Sequence, residues 1–68
     1  MPDEEWIKTL ESGRRVKFTY QELPEDLEFI TAQLEGHEVV YSVVLDKAKK
    51  PPSREEVEGH FKIEMGRL

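Results

Sequence analysis

The sequence predicts a small α+β domain, a three-stranded sheet with helices in the order α-β-α-β-α-β. Three observations carry this. Glu38 to Asp46 reads EVVYSVVLD, with Val39, Val40, Tyr41, Val43, Val44 and Leu45 apolar; β-branched and aromatic residues of this kind fit a packed strand. Arg14 to Gln21 alternates, with Val16, Phe18 and Tyr20 on one side and Arg15, Lys17 and Thr19 on the other. Between and around them lie stretches with helical spacing and helix punctuation. The run 38–46 is expected to be the central strand, covered on both faces.

The N-terminal element is read as a helix over residues 3–12. Asp3 is a suitable N-cap, Glu4 and Glu5 complement the helix dipole, and Trp6, Ile7 and Leu10 form an apolar stripe. Gly13 stands where a helix would end. The alternating run from Arg14 follows as the first strand.

Residues 24–35 admit two readings. As a helix, Pro24 occupies the first turn, Glu25 and Asp26 complement the dipole, and Leu23, Leu27, Ile30 and Leu34 share a stripe that Gly36 closes. As a strand, Glu28 to Glu35 pairs with Glu38 to Leu45 across Gly36–His37, with Ile30, Ala32 and Leu34 on the face of Val39, Tyr41, Val43 and Leu45. The helix is preferred; the strand gives an α-β-β-β-α meander as the alternative.

Prolines 51 and 52 interrupt the chain after Lys47. Ser53 with Glu56 three residues on makes a capping box, so a helix starts there. Gly59 is expected to end it, and Phe61, Ile63 and Met65 then alternate as a last strand. In the alternative the helix runs on through Gly59, at a cost of about 1 kcal/mol.

At 68 residues the chain makes one domain, and a domain of this size buries a modest share of its surface. It has no cysteine, so disulfides and thiolate metal sites are excluded. Two histidines do not make a strong metal site, and nothing points to a cofactor. Stability must therefore come from packing or self-association, which favours a homodimer or a protein partner. The net charge of −5 argues against binding nucleic acid with the whole surface. No apolar run approaches a membrane span, MPDEEW is not a signal peptide, and the cytoplasm is the expected compartment. Asparagine is absent and glutamate supplies 12 of the 15 acids, a thermophile-like usage.

No catalytic constellation emerges, and no small-molecule substrate is evident. His37 and His60 are the candidate acid–base residues by side-chain type, but adjacent residues on a strand point to opposite faces, so Glu38 is no preformed partner for His37. Ser53 is explained as a cap. The four glycines are scattered and cradle no phosphate. Two basic clusters remain as candidate contacts for a partner or a nucleic acid. One is Lys47, Lys49 and Lys50 with Arg54; the other is Arg14, Arg15 and Lys17. Neither is interleaved with aromatic residues, which single-strand binders use for stacking. Phe29, left off the stripe of its helix, is a candidate partner anchor.

Gly13-Arg14-Arg15-Val16-Lys17-Phe18-Thr19, followed by Asp26-Leu27 and Leu34-Glu35, resembles part of the small head-to-tail joining proteins of tailed phages, over about one third of the chain. The resemblance implies a basic-start strand leading into a helix over 24–35, and a structural assembly role; it carries over no site residues.

The leading expectation is a non-enzymatic interaction or regulatory module acting through a protein partner or a homodimer. An assembly component and a nucleic-acid-associated protein are the alternatives. Val40 and Val44 share one face of the strand at 38–46. In the meander alternative that face needs another cover, such as a second copy of the chain.

Overall fold

The computed structural model describes residues 3–47 and 51–62. It contains β1 (Glu4–Thr9), β2 (Arg15–Leu23), β3 (Leu27–Leu34), β4 (Val40–Asp46) and α1 (Arg54–His60). The four strands form one antiparallel sheet in the order β1-β2-β3-β4. The fold is thus mostly β, with a single short helix among the described residues. This corrects the expected α-β-α-β-α-β order, whose first two helices are strands.

The first correction concerns residues 3–12. Gly13 adopts φ 88°, and the amide of Leu10 donates to the carbonyl of Arg14 at 2.7 Å. A glycine in the left-handed region ends a helix and also closes a hairpin loop, so its presence does not separate the two. The hairpin wins on tertiary contacts. A helix of ten residues is marginal alone, whereas β1 pairs along its length with β2 and stacks Trp6 on Phe18 at 5.7 Å between ring centroids. Trp6 is buried and Ile7 is 54% exposed, as alternation requires and a shared stripe forbids.

The second correction concerns residues 24–35. Pro24 opens a tight loop in which Glu25 and Asp26 take φ of 66° and 58°, and Leu23 pairs directly with Leu27. Left-handed backbone at both acids turns the chain back instead of starting a helix. Every second residue of β3 is then buried: Glu28, Ile30, Ala32 and Leu34. The helix implied by the phage resemblance is absent from this segment.

The third correction places β4 at an edge of the sheet. Central positions belong to β2 and β3. With residues 24–34 forming a loop and a strand, no helix covers the second face of β4, and Val40 and Val44 are 48% and 55% exposed.

Register divides the side chains cleanly. Trp6, Phe18, Ala32 and Tyr41 form one row across the sheet, and Val16 with Leu34 and Tyr20 with Ile30 lie beside it. These residues make the inner face, which α1 covers with Val57 and Phe61. The outer face carries rows Glu5-Thr19-Thr31-Ser42, Ile7-Lys17-Gln33-Val40 and Gln21-Phe29-Val44.

Helix α1 starts at the capping box. The Ser53 hydroxyl accepts from the Glu56 amide at 3.2 Å, and the Glu56 carboxylate accepts from the Ser53 amide at 3.3 Å. It continues through Gly59 to His60, with Phe61 as its C-cap. The expected strand is therefore absent at His60–Lys62; its remainder at 63–65 lies outside the described residues. Val57 and Phe61, one turn apart, are both buried against the sheet. That burial outweighs the propensity cost of Gly59.

Candidate functional site: the β4 edge and the outer face

An inner strand is bonded on both sides, but β1 and β4 each leave one row of peptide groups unpaired by the sheet. The register decides which residues of β4 carry that row. The Lys47 amide donates to the Asp26 carbonyl at 2.7 Å, and the Glu35 amide donates to the Arg15 carbonyl at 2.8 Å. In an antiparallel ladder hydrogen-bonded and non-bonded pairs alternate. Counting from either anchor, Tyr41, Val43 and Leu45 direct their peptide groups toward β3. Val40, Ser42 and Val44 direct theirs away from the sheet, and their side chains lie on the outer face.

The two edges are chemically different. β1 carries Glu4, Glu5 and Lys8, the charged residues that discourage strand addition. Its side chains are also tied to α1. The Trp6 indole donates to Glu58 at 3.0 Å, Lys8 reaches the same carboxylate at 2.5 Å, and Arg54 reaches Glu4 at 2.6 Å. The Glu58 contact holds the Lys8 ammonium above its usual range. β4 has no charge from Val40 to Leu45, no proline and no glycine. In a chain with 37% charged residues, only the inner strand β3, from Phe29 to Leu34, has an uncharged strand segment as long.

Beside this edge the outer face is partly apolar. Phe29 is half-buried next to Val44 across the β3–β4 pairing. Thr19 and Thr31 join their hydroxyls in the neighbouring row. Phe29 therefore packs on the sheet and also extends the apolar strip of β4.

The basic candidates fare differently. Arg15 pairs with Glu35 at 3.3 Å, Lys17 with Glu5 at 3.5 Å and Lys47 with Glu22 at 3.6 Å. Arg54 pairs with Glu4 and lies over the Trp6 ring, 5.1 Å from its centroid. Lys49 and Lys50 lie outside the described residues. Arg14 sits in the β1–β2 turn, at the end of the sheet opposite Lys47. β2 separates those ends by roughly 25 Å at the usual rise per residue. The described members of the two clusters do not converge, and Arg15, Lys17, Lys47 and Arg54 each face a carboxylate.

The histidines are both exposed, His37 in the β3–β4 link and His60 at the end of α1. The Ser53 hydroxyl is engaged in its cap. Tyr20 is buried, and burial, reinforced by the Glu28, Glu22 and Asp3 carboxylates, raises its pKa above the usual 10.0. Its hydroxyl is thus held in the protonated form, the opposite of an activated nucleophile or base. Among the described residues no three His, Cys, Asp or Glu side chains are placed to hold a metal ion, and no helix is long and apolar enough to cross a membrane.

Sequence reasoning singled out Val40 and Val44 but not Ser42, which shares their outward peptide direction. It also missed Glu58 and the buried Glu28. For Glu28 the signal was present: it has the same parity as Ile30, Ala32 and Leu34. Comparison with protein-family models, curated proteins and solved structures gives no match to this chain.

Proposed function

We propose that this chain is a non-enzymatic interaction module whose working surface is the β4 edge together with the apolar strip of Val40, Val44 and Phe29. The observation that carries the reading is the contrast between the edges: β1 bears charges and is tied to the helix, while β4 offers uncharged, outward-facing peptide groups. Strand addition to an exposed sheet edge is a general recognition mode, in which main-chain hydrogen bonds supply affinity and alternate side chains supply specificity. The capping role of Ser53, the exposed placement of both histidines and the protonated Tyr20 support a binding role over a catalytic one.

The test is site-specific photo-cross-linking in cells. A photoreactive residue at Val44 should give discrete adducts, whether with a second copy or with another protein, while one at exposed Glu55 on α1 should not. Equal labelling from both positions, or none from Val44, overturns the reading.

A further inference from the structure

β4 and the two link residues before it, Glu38 and Val39, have an internal symmetry. Around Ser42 the chain reads Glu38, Val39, Val40, Tyr41, then Ser42, then Val43, Val44, Leu45, Asp46. Three apolar residues and an acid stand on each side of a central serine. Antiparallel pairing of a strand with its own copy places residue i opposite the residue equally far beyond the centre. With the two-fold axis at Ser42, Val40 meets Val44, Tyr41 meets Val43 and Val39 meets Leu45. Every apolar residue then faces an apolar residue.

The backbone agrees with this centre. Val40, Ser42 and Val44 point their N–H and C=O groups away from β3, as derived above from the Lys47–Asp26 bond. An axis at Ser42 makes the Ser42 pair and both Val40–Val44 pairs hydrogen-bonded ones. An axis one residue on, at Val43, is also allowed by the ladder, but it sets Val40 against Asp46 and Ser42 against Val44. The side-chain pattern selects the first.

Resting on the reading of β4 as a binding edge, we infer that its partner is a second copy of this chain, joined by antiparallel β4–β4 pairing centred on Ser42. The two sheets become one of eight strands. Val44 of each copy then lies between Phe29 of its own β3 and Val40 of the second copy, and the half-exposed Tyr41, Val43 and Leu45 are covered on the inner face. At the rims the link residue Glu38, just before β4, is carried toward Asp46 of the second copy, a like-charge contact. Pairing along one edge is at the small end of stable interfaces, so a micromolar dissociation constant is expected.

A cysteine scan tests partner and register together, because the native chain has no cysteine. Opposed residues of a hydrogen-bonded antiparallel pair have Cα atoms about 5.5 Å apart, within disulfide reach. Ser42→Cys should form a disulfide dimer under mild oxidation. Val40→Cys and Val44→Cys should not do so alone, since each is displaced from its copy by about 13 Å along the strand; mixed together they should form a heterodimer. Sedimentation should show wild-type protein passing from monomer to dimer between about 5 µM and about 500 µM. Val44→Lys should weaken association by at least about 100-fold, a hot-spot-sized loss. Ser42→Pro should do the same while staying folded, because it removes an outward N–H that β3 does not use. Should Ser42→Pro fail to fold, Val44→Lys decides alone. Added salt should tighten the dimer by screening Glu38 against Asp46.

A strict monomer at about 1 mM overturns the inference, as does a disulfide of Val40→Cys or Val44→Cys alone forming as fast as that of Ser42→Cys. Cross-linking from Val44 to a different protein, with a monomer in solution, sinks the dimer and leaves the binding edge standing. Absence of any Val44 adduct sinks both.

Discussion

The indole of Trp6 donates a hydrogen bond to the carboxylate of Glu58 across 52 positions of sequence, at 3.0 Å. Lys8, two residues along β1, reaches the other oxygen of the same group. One carboxylate of the helix therefore fastens two side chains of the first strand. Glu58→Ala should lower stability by about 1–2 kcal/mol, since it removes an acceptor from a part-buried indole as well as an ion pair. Glu58→Gln should cost less, because it keeps an acceptor for Trp6. Urea denaturation followed by the emission of the single tryptophan measures both.

Phe61, the C-cap of α1, packs directly on the sheet. It is 1% exposed and lies 6.4 Å from Phe18 between ring centroids. Phe61→Ala should cost about 3–5 kcal/mol. That is comparable to the whole stability of a 68-residue domain. Thermal unfolding should show the variant largely unfolded near room temperature, whereas Val57→Ala should shift the midpoint without abolishing the transition.

Glu25 holds left-handed backbone at φ 66° without being glycine. Such a residue carries roughly 1 kcal/mol of strain. Glu25→Gly should raise stability by about 0.5 kcal/mol once the extra freedom of glycine in the unfolded chain is subtracted. A small upward shift in the melting temperature is the expected reading; a fall would show that the Glu25 side chain contributes more than its backbone costs.

Tyr20 gives a pH prediction with a definite sign. Its folded pKa is raised above the usual 10.0, first by burial and then by the carboxylates of Glu28, Glu22 and Asp3. The unfolded chain would lose this proton more readily than the folded one. The associated stability is fully present below the ordinary tyrosine range and is lost as pH rises through the raised value. Chemical denaturation from neutral pH to strongly alkaline conditions should show the loss, and Tyr20→Phe should remove that component.

Part of this architecture was legible in the residues. β2 alternates because one of its faces meets the core, and the Ser53–Glu56 reciprocity marks the helix start by local chemistry alone. The misreadings fall where one local signal serves two structures. A left-handed Gly13 closes a helix or a hairpin. Pro24 followed by two acids starts a helix or fills a turn. The apolar run at 38–46 announces a strand but not its neighbours, and whether Val40 and Val44 are core or surface depends on what covers the second face. Gly59 reads as a stop because propensity is local, whereas the contact that carries the helix past it, Phe61 on Phe18, is tertiary. The candidate edge is half visible in the residues: parity distinguishes Val40 and Val44, but the outward peptides of Ser42 require the β3 register.

The unequal edges bear on how far growth can go. A sheet with two adhesive edges adds copies head to tail and extends without limit into a ribbon. Among the described residues Glu4, Glu5 and Lys8 charge the β1 edge, whereas β4 is uncharged from Val40 to Leu45. A two-fold contact uses the same edge from both partners and leaves none over. In the dimer inferred above, the charges of β1 would act as a terminator, holding the stoichiometry at two and keeping a valine-rich strand from seeding a fibre.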